Sequence, residues 1–243
     1  MWSHSMPGYD VRMSTDALFL NAIQVAGIID RAEAQLLVDL GINLLGFPLR
    51  LPVNKDDLSE KDATEIIRSL RPPHRAVLIT YLDVASEIAG FADELQVSIV
   101  QLHEKIAVSE LAELRARRPD IVVIKSLVIG PDRSHEIVGQ VEKMADHVDA
   151  FITDTYDPAT GASGATGKTH DWSVSRAIVE ASPRPVILAG GLTPENVRDA
   201  ILTVRPAGVD VHSGVENAIG RKDRERIESF VAAAVCAFRE ISR

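Results

Sequence analysis

The residues best suited to chemistry lie where short apolar runs end. The run Phe151–Thr153 is followed by an acid, Asp154, and by the glycine-rich segment Gly164–Trp172. Two later runs end in Ala189-Gly190-Gly191 and in His212-Ser213-Gly214. Glycine lets backbone N–H groups approach an anion, and a helix N-terminus adds the positive end of its dipole. The pattern predicts phosphate binding by Gly164, Gly167, Gly190, Gly191, Ser213 and Gly214.

These segments belong to a regular alternation of two kinds of sequence. Eight short runs are apolar and rich in β-branched residues, as expected of strands buried on both faces of a parallel sheet. They are Ile23–Ile28, Asn43–Phe47, Ala76–Tyr81, Ser98–Leu102, Ile121–Lys125, Ala150–Thr153, Pro185–Ala189 and Gly208–Val211. Eight stretches of helical period follow them: Arg31–Leu40, Ser59–Leu70, Asp83–Leu95, Ser109–Arg117, His135–His147, Ser173–Glu180, Thr193–Leu202 and Arg224–Phe238.

Eight strand–helix units predict a single TIM (β/α)8 barrel, an α/β fold that takes about 250 residues. The chain has 243 residues. An open, doubly wound sheet is the main alternative, and the even succession of eight units favours the closed barrel. We expect an N-terminal extension over residues 1–20 and the barrel domain over residues 21–243.

Composition limits the classes of partner. A net charge of -9 and 5% aromatic residues argue against nucleic-acid binding. No apolar run approaches the roughly 18 residues of a membrane span, and the polar N-terminus does not resemble a secretory signal, so we expect a cytoplasmic protein. The single cysteine, Cys236, excludes a disulfide framework, and we expect it in the core. No Cys/His spacing suggests a metal, and no cofactor is expected.

In a barrel of this kind, chemistry occurs at the C-terminal ends of the strands. Besides the glycines above, that rule selects Ala26-Gly27, Arg50, Asp83, His103-Glu104, Lys125-Ser126, Asp154 and His212. Histidine and aspartate suit general acid–base catalysis, and a strand-end lysine suits Schiff-base chemistry, as in class I aldolases. His103 is an expected ligand-binding residue, with a purely structural histidine as the alternative.

Four ordered motifs resemble the phosphoribosylanthranilate isomerase family. They are Val100–His103, Gly164–Trp172, Leu188–Val197 and Gly208–Glu216, the last of them followed by Lys222-Asp223. The resemblance covers roughly residues 21–238 and is stronger from the fourth strand onward. It implies a TIM barrel that performs an Amadori rearrangement, an aldose–ketose isomerisation in tryptophan biosynthesis, on a small phosphorylated substrate.

The resemblance implies one catalytic residue that is present and one that is missing. The family's general acid, an aspartate that ends the sixth strand, falls on Asp154. Its general base is a cysteine in a Lys-Ile-Cys-Gly pattern, where this chain has Gln24-Val25-Ala26-Gly27. Ala26 cannot accept a proton, so His212, where the family tends to have serine, is the expected replacement base.

A second departure follows the second strand. The family's arginine for the substrate carboxylate falls near Lys55 or Asp56, and only Lys55 could partly replace it. These departures leave open a divergent paralogue with altered chemistry. Two further alternatives are a lyase or aldolase that uses Lys125 and Asp154, and a non-catalytic phosphometabolite-binding protein. The sequence also leaves open whether the protein is a monomer or a homodimer.

Overall fold

The computed structural model describes residues 15–51, 58–103, 105–129, 134–157, 162–163 and 169–242. Eight parallel strands form a closed barrel, because β5 pairs with β6 as well as with β4. The barrel strands are β1 (Ala22–Ala26), β2 (Leu44–Pro48), β3 (Arg75–Thr80), β4 (Ile99–Leu102), β5 (Val122–Ile129), β6 (Ala150–Asp157), β8 (Val186–Leu188) and β9 (Gly208–Val211). A two-residue strand, β7 (Ala162–Ser163), pairs antiparallel with the end of β6.

Helices separate the strands along the chain. They are α1 (Thr15–Phe19), α2 (Arg31–Asp39), α3 (Glu60–Ser69), α4 (Ala85–Leu95), α5 (Val108–Arg117), α6 (Ser134–Met144), α7 (Trp172–Ala181), α8 (Val197–Val204) and α9 (Arg224–Ile241). The predicted TIM barrel is confirmed, and each of the eight predicted apolar runs overlaps a barrel strand.

The predicted start of one helix is wrong by about one turn. Helix α8 begins at Val197 and not at Thr193. Residues 193–196 form a separate turn, in which the Glu195 amide donates to Oγ1 of Thr193 (3.3 Å). The Val197 amide then donates to the Thr193 carbonyl (3.0 Å), so the signal for a helix start marks the turn that leads into the helix.

Alternation along each strand divides the core into two parts. In β1, Ala22 and Ala26 point into the barrel, whereas Ile23 and Val25 pack against the surrounding helices. Successive strand side chains point to opposite faces, so Gln24 also points into the barrel. The same alternation directs Asp154, Asp210 and His212 toward the interior and sets the composition of the site.

The last part of the segment predicted as an extension packs with the barrel. Phe19 of α1 is fully buried in the interior cluster that includes Ala22 and Ala150, at the N-terminal ends of the strands. The Asn21 amide also donates to the Ala207 carbonyl (2.6 Å). The packed unit therefore starts before residue 21.

One residue predicted to be in the core lies on the surface. Cys236 is exposed on α9, and its thiol approaches Oε1 of Glu240 at 3.6 Å. The buried face of α9 is formed instead by Phe230, Ala234 and Phe238, since these residues recur at helical spacing. Within the described part of the chain, no helix is long and apolar enough to span a membrane.

Candidate active site

Asp154 lies in β6 near the C-terminal opening of the barrel, and only β5 separates it from β4. Its Oδ2 is 3.8 Å from Nδ1 of His103, which follows β4 and is itself buried. Oδ1 accepts a hydrogen bond from the Thr155 amide (2.7 Å). Burial raises the pKa of Asp154, although the neighbouring His103 and the Thr155 N–H group act against this rise. A carboxyl with a raised pKa can keep the proton that a general acid must donate.

His103 is held from the other side by an aromatic ring. The centroids of the Tyr81 and His103 rings are 4.8 Å apart, with the rings tilted by 46°. The structure thus brings two of the predicted site residues, His103 and Asp154, within 3.8 Å of one another at the two strands that flank β5.

Ala26 and His212 meet where β1 pairs with β9. The register pairs Gln24 with Asp210 and Val25 with Val211, so Ala26 and His212 are the next lateral neighbours. The next residue, Gly27, has φ = +77°, and a Cβ atom there would overlap the His212 ring. The imidazole therefore lies against the backbone at Gly27, directly after Ala26.

Charged groups and burial set the protonation of His212. Burial and the Lys222 ammonium lower its pKa to about 4, and the Glu216 carboxylate acts against that shift. Oε1 of Glu216 is 3.5 Å from Nε2 of His212. Nζ of Lys222 donates to the same Glu216 oxygen (2.6 Å) and to the His212 carbonyl (3.2 Å). His212 is consequently a neutral imidazole at neutral pH, free to accept a proton.

Sequence reasoning gave no role to Asp210, which lies on the same strand face as His212. Burial and the nearby Asp154 charge raise the pKa of Asp210 to about 7, while Gln24 and Lys222 oppose that rise. A signal was present in the sequence: Gly-Val-Asp-Val-His places Asp210 and His212 two residues apart, which directs both side chains to the same face of a strand.

The predicted phosphate-binding glycines of β8 and β9 form two adjacent loops. Gly190 and Gly191 have φ values of +101° and +63°, which favour glycine. A Cβ atom on Gly214 would overlap the Leu192 carbonyl, so the second loop packs directly on the first. Ser213 begins a 3₁₀ turn over Ser213–Val215. Gly164 and Gly167, and likewise Lys55, lie outside the described residues.

A histidine that the sequence analysis missed supports the first glycine loop. His170 Nδ1 lies 2.9 Å from Oγ1 of Thr155, and its Nε2 lies 2.5 Å from Oγ of Ser175. A Cβ atom on Gly190 would overlap that same Thr155 oxygen. Burial lowers the pKa of His170 to about 4, so a neutral ring links β6 to α7 directly beside the Gly190 backbone.

The Lys125 side chain points away from the barrel interior, toward which Asp154, Asp210 and His212 point. It alternates with Ile124, which points into the barrel, and shares its strand face with Val123 and Leu127, which pack against the helices. Its Nζ donates to the carbonyls of Leu102 (3.1 Å) and Ser126 (2.7 Å). A Schiff-base lysine would have to face the interior, so the geometry gives the aldolase alternative no support.

Arg50, at the end of β2, also points away from the barrel opening. It pairs with Glu60 (2.8 Å) and Glu94 (3.0 Å) and lies over the Phe91 ring at 3.5 Å. Among the residues that the structure describes, no group of three or more His, Cys, Asp or Glu side chains is placed to hold a metal ion.

Comparisons with known proteins agree with this geometry. The chain matches the family N-(5'phosphoribosyl)anthranilate (PRA) isomerase over residues 23–233. A relative from Methanosarcina mazei, N-(5'-phosphoribosyl)anthranilate isomerase 2, is 42% identical over 214 residues, covering 87% of this chain and 93% of the relative.

Two solved structures are similar in fold over most of the chain. One contains mutually generated monomers of the dimeric phosphoribosylanthranilate isomerase from Thermotoga maritima, with a TM-score of 0.72 and 29% identity, covering 89% of this chain and all of that one. The other is a phosphoribosylanthranilate isomerase in complex with reduced 1-(o-carboxyphenylamino)-1-deoxyribulose 5-phosphate. Its TM-score is 0.73 at 29% identity, with the same coverage.

Proposed function

Because the chain belongs to the phosphoribosylanthranilate isomerase family, we propose that it isomerises N-(5'-phosphoribosyl)anthranilate in tryptophan biosynthesis. The reaction converts an aminoaldose into an amino-ketose. Within the site, one observation supports the proposal most directly. Asp154, the residue that matches the family's acid, lies at the barrel opening with its pKa raised by burial.

The phosphate end of the substrate is assigned to the β8 and β9 loops. Gly190 and Gly191 let the backbone approach an anion, and Ser213 and Gly214 lie in the adjacent loop. The similar structure that holds a 5-phosphate compound supports a phosphorylated ligand for this family. Gly164 and Gly167 are assigned to the same phosphate by sequence alone.

Ring opening requires a proton on the leaving oxygen. Asp154 donates it to the ring oxygen as the bond from that oxygen to C1 breaks, and a Schiff base forms between C1 and the anthranilate nitrogen. His103, 3.8 Å from the carboxylate that results, stabilises its negative charge. His103 is thus assigned to ligand binding beside the acid.

The second half of the reaction removes the proton from C2. We assign this step to His212, the lateral neighbour of Ala26 on β9. Its neutral ring can accept a proton, and Glu216, 3.5 Å from Nε2, is placed to stabilise the imidazolium that forms. The electron pair of the C–H bond neutralises the Schiff base and gives an enol, which becomes the ketone when C1 gains a proton and the C2 hydroxyl loses one.

Turnover by the purified protein tests the proposal. Incubation with phosphoribosylanthranilate should convert it to the amino-ketose, and the protein should restore growth of an auxotroph lacking the isomerase. In heavy water, protonation of the enol should place deuterium at C1 of the amino-ketose. Binding of the phosphorylated product with neither turnover nor deuterium incorporation would instead identify a non-catalytic binding protein and refute the assigned activity.

Size-exclusion chromatography with light scattering tests the oligomeric state. The similar enzyme from Thermotoga maritima is described as dimeric, and we propose a homodimer here as well. A molar mass of one chain at micromolar concentration would exclude it.

A further inference from the structure

A buried polar layer lies two residues below Ala26 and His212 along β1 and β9. Gln24 of β1 and Gln101 of β4 point inward, because each lies two residues from an interior residue of its own strand, Ala22 and Ile99 respectively. Asp210 of β9 points inward too, since its neighbours Val209 and Val211 pack against the helices. Gln24 and Gln101 are buried, and Gln24 Nε2 donates to Gln101 Oε1 across the barrel at 2.8 Å. Side-chain amides and carboxyls in this position need hydrogen-bond partners.

Two oxygens of this layer lack such partners. Oε1 of Gln24 and Oδ1 of Asp210 are both buried, and neither makes a hydrogen bond to any residue that the structure describes. An amide oxygen only accepts, and an ionised carboxylate also only accepts. If Asp210 were ionised, two neighbouring buried acceptors would both be unsatisfied, which is costly. A proton on Asp210 supplies the missing donor to both.

The residue at position 24 is what makes this arrangement unusual. The pattern that the chain resembles has lysine there, and an ammonium beside Asp210 would keep the carboxylate charged. Gln24 is neutral, and one N–H group of its Nε2 is donated to Gln101. The charges that face Asp210 are Asp154 from β6, which disfavours ionisation, and Lys222, which favours it. Burial is the larger cause of the rise and an ionised Asp154 adds to it; together they outweigh Lys222 and bring the pKa of Asp210 to about 7, so repulsion disfavours ionisation of both carboxyls at once.

We propose that Asp210 is protonated in the resting enzyme and donates a hydrogen bond to Oε1 of Gln24, which makes Gln24 a positioning residue for that proton. The inference deepens the proposed function and rests on it for its catalytic meaning. Asp154 becomes negatively charged when it gives its proton to the substrate. A neutral Asp210 adds no repulsion at that moment, whereas an ionised one would oppose the transfer.

Infrared spectroscopy of the substrate-free protein tests where the proton is. At pH 6 the wild type should show the carbonyl band of a protonated, buried carboxylic acid, and part of that band should disappear in Asp210→Asn. Asparagine has nearly the same shape and can donate to Gln24 Oε1, so this variant should fold. Asp39→Asn, at an exposed site on α2, is the matched control and should leave the band unchanged. An Asp210→Asn spectrum identical to the wild type would overturn the assignment.

Gln24→Lys tests the role of the neutral amide. The added ammonium should ionise Asp210, remove the same part of the band at pH 6, and shift the alkaline limb of the kcat/KM profile down by at least one pH unit. A Gln24→Lys protein with the wild-type band would refute the positioning role. Because the infrared measurement needs no substrate, an absence of isomerase turnover would refute the proposed function without changing the proton assignment.

Discussion

Replacement of His212 by alanine is the most direct test of how this site works without the family's cysteine. General-base catalysis contributes about 10²–10⁴-fold, so His212→Ala should lower kcat by that factor, or about 2.7–5.5 kcal/mol of transition-state stabilisation. KM should change little, because the glycine loops assigned to the phosphate do not depend on the imidazole. The free energy of unfolding should also fall only modestly, since the ring is partly exposed at the barrel opening.

The pH profile of kcat/KM provides an independent test of His212 as the base. A base works only when unprotonated, and burial with Lys222 lowers the pKa of His212 from 6.5 to about 4. Activity should therefore persist down to about pH 5 and fall with an acid limb near pH 4, not near 6.5. Lys222→Met removes one of the two causes of the lowered pKa, so the acid limb should move to higher pH.

A pair of variants at Ala26 completes the experiment. Ala26→Cys in the His212→Ala background returns a thiol to the neighbouring position and should recover at least tenfold in kcat. Ala26→Ser, nearly the same size but without an accessible anion, is the matched control and should recover nothing. A His212→Ala protein whose kcat stays within twofold of the wild type would refute the assignment of His212 as the base.

Two further variants test the acid and the phosphate loop. Asp154→Asn keeps the acceptor for the Thr155 amide but has no proton to donate, so kcat should fall at least 100-fold at an unchanged melting temperature; an active variant would exclude Asp154 as the acid. Gly190→Ala forces a positive φ on alanine and a clash with Thr155, so we expect a loss of about 1–3 kcal/mol in stability and a raised KM. Gly90→Ala in α4, where a Cβ atom meets nothing within 4 Å, should cost nothing, and equal effects of the two changes would contradict the argument.

The fold could be predicted because its signals are local. Near-continuous apolar runs such as Ala150–Thr153 occur where strands are buried on both faces, and amphipathic periods such as Arg224–Phe238 occur where helices cover them. Cys236 was placed wrongly because it lies at the edge of the apolar face of α9. The helical period does not show whether a residue at that edge is buried or exposed. Gly164, Gly167 and Lys55 remain predictions from the sequence.

The site was predictable only in part. Asp154, His103 and His212 follow from the rule that chemistry occurs at the C-terminal ends of barrel strands. Asp210 and Gln24 were missed because each is a single polar residue within an apolar strand. Their meaning depends on the β1–β9 register, which pairs residues 186 positions apart in the chain. Lys125 met the same strand-end rule, but alternation within β5 turns it toward the helices.

The amino-acid sequence by itself determined the barrel and the family, and it placed an aspartate at position 154 and an alanine at position 26. These properties depend on residue type, local period and order along the chain. Tertiary structure decided that His212 is the lateral neighbour of Ala26, that Lys125 points out of the barrel, and that Asp210 titrates near pH 7. The protonation state of a side chain, and the groups that it can contact, depend on burial and on charges from other strands. These become defined only when the barrel closes.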